Sequence, residues 1–87
     1  MPTCEVLLTR SAEREFERLG RDVQERFAAA IDCLRVDPTR ARPGLDIRPM
    51  KGLKGMWRLR VGDYRGIYQL DARTITFTRF APRSQVY

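Results

Sequence analysis

Residues 56–68 read MWRLRVGDYRGIY, a pattern typical of a β-hairpin. Within this stretch, Trp57, Leu59 and Val61 recur at the period of two that gives a strand one apolar face. Gly62-Asp63 favours a two-residue turn, because glycine readily adopts the backbone angles that such turns require. The stretch therefore predicts two antiparallel strands that bury one face against a core.

The other face of this predicted hairpin is cationic. It carries Arg58 and Arg60 on the first strand, and a two-residue turn sets Val61 opposite Tyr64 and Arg60 opposite Arg65. Two arginines that face each other across a ladder repel and lower stability. We expect a chain that keeps such a pair to use it on an anion.

Two helices are predicted ahead of the hairpin. Ser11 is expected to cap the first helix, and Asp22 with Glu25 forms a capping-box pattern at the start of the second. The first helix also has an acidic stripe that predicts a solvated face, formed by Glu13, Glu15 and Glu17.

Five strands are predicted from apolar or alternating runs bounded by turn residues. They cover Glu5–Thr9, Asp46–Met50, Met56–Val61, Tyr64–Leu70 and Thr74–Phe80. The order β-α-α-β-β-β-β is typical of an α+β fold in which two N-terminal helices pack on a mostly antiparallel, twisted sheet. We therefore expect residues 1–87 to form a single domain.

Charge is distributed unevenly along the 87 residues, whose net charge is +6. Residues 1–38 have a net charge of −2, whereas residues 39–87 have a net charge of +8. A basic half on a small domain is typical of a protein that binds a polyanion, with nucleic acid the first candidate. No run of 18 apolar residues is present, so the sequence predicts no membrane-spanning helix and no membrane partner.

The sequence offers few residues for metal or redox chemistry. It contains no histidine, and the acidic residues of the basic half are three scattered aspartates, so neither a metal site nor a cofactor is expected. Cys4 and Cys33 lack metal-ligand spacing and are expected to be reduced thiols. This use of cysteine predicts a cytoplasmic protein.

The chain resembles the RelE/ParE superfamily of toxins from bacterial type II toxin–antitoxin modules. The resemblance rests on the order of elements, on residues 53–68 (LKGMWRLRVGDYRGIY) and on the ending RSQVY at residues 83–87. The Trp-Arg-Leu-Arg run and the terminal Val-Tyr favour the RelE branch, whose members cleave mRNA in the ribosomal A site. ParE-like relatives instead poison DNA gyrase.

The resemblance implies a set of catalytic residues. Arg65 matches an arginine that stabilises charge at the scissile phosphate, and Arg58 and Arg60 fall where two lysines act in RelE toxins. Tyr87 matches a tyrosine that stacks on the substrate base and helps to activate the 2′-hydroxyl, and Arg83 matches a basic residue near it. Because arginine holds its proton too tightly to act as an acid, we expect a phosphate clamp to dominate catalysis.

One position departs from the family pattern. Ala81 stands where some members have a further catalytic arginine, and Arg79 is a candidate to replace it in space. Lys51 and Lys54, in a glycine-punctuated connection, are candidates to contact RNA phosphates together with Arg79.

The leading interpretation is a toxin that cleaves mRNA on the 70S ribosome by metal-independent attack of a 2′-hydroxyl. Its expected partners are the ribosome, mRNA and a cognate antitoxin with an acidic amphipathic or disordered segment, and operator DNA only through the antitoxin complex. Two alternatives remain open: a ParE-like gyrase poison without nuclease activity, and a non-catalytic, antitoxin-binding corepressor.

Overall fold

A five-stranded sheet with two helices on one face organises residues 3–85, the part of the chain that the computed structural model describes. The sheet order is β1-β5-β4-β3-β2, and β1 runs parallel to β5 while every other neighbouring pair is antiparallel. This architecture confirms the predicted α+β fold. The elements are β1 (Glu5–Leu8), α1 (Arg10–Glu17), α2 (Arg21–Leu34), β2 (Asp46–Pro49), β3 (Met56–Val61), β4 (Tyr64–Asp71), β5 (Thr74–Pro82) and a 3₁₀ helix (Arg83–Gln85).

The hairpin of β3 and β4 has the register expected from the sequence. Val61 lies opposite Tyr64, and Arg60 lies opposite Arg65. Gly62 makes the turn with a φ of 58°, a left-handed conformation that glycine adopts without steric cost. The two-residue turn thus sets every cross-strand neighbour in the hairpin.

Aromatic rings from α2, β4 and β5 form the centre of the core. The ring of Phe80 lies 5.1 Å from that of Phe27 and 5.0 Å from that of Phe77, and all three side chains are buried. Tyr68 is also buried, and its hydroxyl donates a 2.8 Å hydrogen bond to the carbonyl of Pro38. Burial raises the pKa of Tyr68 because it disfavours the phenolate.

The helix starts differ from the prediction. Thr9, and not Ser11, caps α1, since its Oγ1 accepts a 3.1 Å hydrogen bond from the amide of Ala12. β1 ends at Leu8, one residue before its predicted end, and α1 begins at Arg10. The extended residue between them, Thr9, therefore occupies the N-cap position. Gly20 holds the N-cap position of α2 without a side-chain bond, which places Asp22 inside the helix and makes the predicted capping box wrong.

A bulge in β5 also departs from the predicted alternation. Ile67 pairs with Arg79 and Tyr68 pairs with Phe77, so Thr78 is an extra residue between two ladder positions. The extra residue lets both Phe77 and Phe80 face the helices. β5 also continues to Pro82, beyond the predicted end of the strand at Phe80. Within residues 3–85, no helix is both long and apolar enough to cross a membrane.

Candidate functional site

The sheet face turned away from the helices, here called the open face, collects the predicted arginines. Directly paired residues on neighbouring strands share a face, so the register identifies its members. One row across the sheet is Asp46, Arg60, Arg65 and Ala81, and the next is Arg48, Arg58, Ile67 and Arg79.

Arg65 is the most unusual side chain of this face. Among the charged side chains that the structure describes, only this one is buried, with 7% of its surface exposed. A guanidinium keeps its charge under all ordinary conditions, and a buried charge is costly. Arg60 also faces Arg65 across the ladder, so two guanidinium groups meet at this point of the open face.

Arg65 shares a hollow of about 520 Å³ with Arg83, beside Asp63 and Pro82. The backbone amide of Arg83 donates a 2.8 Å hydrogen bond to the carbonyl of Asp63, which ties the 3₁₀ helix to the hairpin turn. The structure therefore brings together two of the predicted site residues that lie 18 positions apart in the sequence.

Arg58 and Arg60 lie on the same face but line other hollows. The Nε of Arg60 donates a 3.2 Å hydrogen bond to the carbonyl of Gly62, and Arg60 lines a hollow of about 770 Å³ with Arg26 of α2. Arg58 lines a third hollow, of about 380 Å³. The arginines that were expected to clamp a phosphate therefore share one face of the sheet but line three separate hollows.

An apolar strip runs between these arginines on the open face. It consists of buried Ile67 and Ala81 with partly buried Met50 and Met56 packed against them. Ala81 lies directly opposite Arg65, so the position at which some family members have an arginine does belong to this face. Ile67 and Ala81 are almost fully covered, so the apolar side chains of this strip that a ligand can reach are the partly buried Met50 and Met56.

Arg79 has the strand position of the open face but a partner on α1. Its Nε lies 3.6 Å from Oε2 of Glu15, at the edge where β5 extends beyond β1. The other oxygen of Glu15 accepts a 2.9 Å hydrogen bond from the amide of Phe80. Glu15 is thus a half-buried link between α1 and β5, and the expectation of a wholly solvated acidic stripe is wrong at this position.

The remaining predicted residues lie around the connection between β2 and β3. Lys51 lines the same hollow as Arg58, whereas Lys54 lines a separate one near Trp57. Tyr87 lies outside the described residues. Arg48 was not predicted as a site residue, yet it is the direct partner of Arg58. The sequence signal for Arg48 is its alternation with the buried Ile47, which places Arg48 on the opposite face of β2. Its position beside Arg58 then follows from the pairing of β2 with β3.

Solved structures of toxin–antitoxin complexes have the same fold. The RelE–RelB complex from Pyrococcus horikoshii OT3 is 25% identical with a TM-score of 0.80, and the match covers 97% of this chain and 99% of that one. The RelBE2 complex from Mycobacterium tuberculosis is 25% identical with a TM-score of 0.76, covering 93% and 99%. The RelB–RelE complex from Methanococcus jannaschii is 23% identical with a TM-score of 0.78, covering 93% and 94%.

The sequence comparison identifies the family. A search of curated proteins gave no match. The family described as ParE toxin of type II toxin–antitoxin system, parDE, matches residues 6–87, which is nearly the whole chain. The chain therefore belongs to the ParE toxin family of type II toxin–antitoxin systems, within the RelE/ParE superfamily.

Proposed function

We propose that this type II toxin is a ribosome-dependent endoribonuclease that cleaves mRNA in the A site. The observation that carries the proposal is the buried, charged Arg65, which faces Arg60 across the hairpin and shares a hollow with Arg83. Together, Arg65, Arg60 and Arg83 place three guanidinium groups around the turn end of the hairpin. A phosphate that gains charge during a reaction gives such an arrangement a use.

The reaction is an internal transfer at one phosphodiester. The 2′-oxygen loses its proton and forms a bond to phosphorus, and the bond from phosphorus to the 5′-oxygen breaks. The products are a 2′,3′-cyclic phosphate and a 5′-hydroxyl that takes up a proton. In this scheme Arg65 and Arg83 bind the non-bridging oxygens, whose charge grows in the transition state. Arg60 joins them when it releases the carbonyl of Gly62.

Proton transfer falls to groups other than the arginines, since guanidinium stays protonated. By its resemblance to the RelE pattern, Tyr87 stacks on the base and helps to activate the 2′-hydroxyl. The ribosome holds the mRNA in the conformation that brings the 2′-oxygen into line. This supply of orientation explains why the protein itself needs few proton-transfer residues.

The proposed partners follow from this target. The toxin acts on the 70S ribosome and its mRNA in the cytoplasm, and a cognate antitoxin with an acidic segment neutralises its basic half. The three structures described above contain toxin bound to antitoxin, which supports that partner. Operator DNA is reached only through the antitoxin complex.

A second candidate function is poisoning of DNA gyrase through protein contact. The observation that favours it is the family match, which is to the ParE toxins. The two functions leave different damage in the cell. The nuclease produces mRNA cut at codon positions, whereas the gyrase poison produces DNA breaks and an SOS response while mRNA stays intact.

The test is induction of the toxin in cells, followed by primer extension on a translated message and an SOS reporter. We expect cut mRNA, no SOS response, and loss of both cutting and growth arrest in Arg65→Ala. Arg73→Ala, which removes an exposed arginine from the turn between β4 and β5, is the matched control and stays toxic. Capture of Arg65→Ala by the antitoxin verifies its fold. Full toxicity of folded Arg65→Ala would refute the nuclease, as would DNA breaks with intact mRNA. Absence of toxicity from the wild-type protein would favour the non-catalytic corepressor.

A further inference from the structure

We propose that the hollow beside Arg58 is a nucleotide-binding subsite for the residue next to the scissile linkage. This hollow, here called the flanking subsite, is lined by Arg48, Pro49, Met50, Lys51, Leu53 and Arg58. The proposal rests on the proposed function in taking RNA as the ligand and in placing the scissile linkage beside Arg60 and Arg65. It assigns a binding role to Arg48 and Leu53.

Charge is the first argument. Arg48 on β2 and Arg58 on β3 are direct cross-strand partners, and Lys51 in the following turn lines the same hollow. No carboxylate is among the described residues that line it. Like charges placed directly opposite lower the stability of a sheet, and a bound phosphate reverses the sign of that effect.

Hydrogen bonding is the second argument. The Nε of Arg58 is buried from solvent and has no hydrogen-bond partner within the part of the chain that the structure describes. A buried donor without an acceptor destabilises the fold, so a ligand that draws the Arg58 side chain into the hollow it lines and supplies an acceptor is favoured. A phosphate oxygen, or an acceptor on a base edge, has the required chemistry.

Apolar surface is the third argument. Leu53 keeps 52% of its surface exposed although it is a large apolar residue, and it lies beside the cations of the subsite. Met50 belongs both to the subsite and to the apolar strip that continues across the open face. The volume of about 380 Å³ falls within the range of small-ligand sites. A nucleotide can contact both the cationic and the apolar side chains of the subsite, with its phosphate bound to the cations and its base packed on Leu53 and Met50.

Position links the subsite to the proposed reaction. Arg58 lies two residues from Arg60 on the same face of β3, which is about 6.8 Å along the strand. An RNA strand whose phosphate is bound in the row of Arg60 and Arg65 therefore passes the row of Arg48 and Arg58 at its neighbouring nucleotide. An acidic protein segment would meet the same charges, but continuity with the proposed phosphate site favours RNA.

The test measures binding of a fluorescent hexaribonucleotide to purified toxin across a range of salt concentrations. Free RNA suits this assay because the proposed cleavage requires the ribosome. We expect Arg48→Gln to weaken binding about tenfold and to reduce the slope of log K against log salt by about 0.7, the loss of one phosphate contact. Arg73→Gln, at the exposed turn between β4 and β5, controls for loss of charge and leaves the slope unchanged.

A second pair of variants tests the apolar part. Leu53→Ser weakens binding without changing the salt slope, whereas Leu7→Ser, which alters a leucine of β1 with 46% exposure, changes neither. Equal effects of Arg48→Gln and Arg73→Gln would overturn the subsite, as would an Arg48→Gln protein that loses antitoxin affinity while RNA binding is unchanged. If the variants change RNA binding as expected while induced cells show no cut mRNA, the RNA-binding subsite stands and the proposed nuclease fails. If induced cells show cut mRNA while Arg48→Gln and Arg73→Gln change RNA binding equally, the nuclease stands and the subsite fails.

Discussion

Replacement of Glu15 tests whether a side chain of α1 holds the end of β5 in place. Beyond Phe77, β5 has no pairing with β1, so the amide of Phe80 depends on Oε1 of Glu15 at 2.9 Å. Loss of an acceptor from a half-buried amide costs about 1–3 kcal/mol. The ion pair with Arg79 adds at most about 1 kcal/mol, because its two side chains are 45% and 29% exposed and solvent screens them.

We therefore expect Glu15→Ala to lower the free energy of unfolding by about 1–3 kcal/mol, with a fall in Tm of about 4–8 °C per kcal/mol for a domain of this size. Glu15→Gln keeps an oxygen for the amide of Phe80 and loses only the charge, so we expect a loss of at most about 1 kcal/mol. The assay is urea and thermal unfolding of the purified toxin followed by circular dichroism.

The matched control for this prediction is Glu17→Ala, which removes an exposed carboxylate from the same helix. We expect it to change stability by less than about 0.5 kcal/mol, as is usual for surface substitutions. The reasoning is refuted if Glu15→Ala is no more destabilising than Glu17→Ala, or if Glu15→Gln is as damaging as Glu15→Ala. Either result would mean that β5 does not depend on this hydrogen bond.

Two further substitutions test the core beneath the open face. Gly66→Ala places a Cβ 3.1 Å from ring carbons of both Phe77 and Phe80, so we expect a loss of about 1–3 kcal/mol in urea unfolding, and an unchanged stability would contradict the packing. Tyr68→Phe leaves the buried carbonyl of Pro38 without its donor and should cost about 1–3 kcal/mol. Because the folded pKa of Tyr68 is raised, its contribution is complete below the unfolded pKa of about 10 and is lost as pH rises. The stability difference between the wild type and Tyr68→Phe should therefore narrow above pH 10, and a constant difference would contradict the burial of the hydroxyl.

Local patterns in the sequence were sufficient for the order of elements and for the hairpin. The alternation around Leu59 and the Gly62-Asp63 turn involve residues within a few positions of each other, so the pairing of Arg60 with Arg65 follows without knowledge of the rest of the chain. The residues that α2 buries, including Val23, Phe27 and Leu34, likewise recur in the sequence at the spacing of one helix face, because a helix repeats every 3.6 residues.

Only the tertiary structure decided how distant segments meet. The extra residue at Thr78 turns Phe80 toward the helices, the carboxylate of Glu15 reaches the amide of Phe80 across 65 positions, and Arg48 faces Arg58 only because β2 pairs with β3. The hollow that holds Arg65 also depends on where the 3₁₀ helix docks. Local propensity and periodicity specify which face of an element is apolar, whereas bulges, side-chain directions and contacts between elements are set by packing against neighbours that the local sequence does not contain.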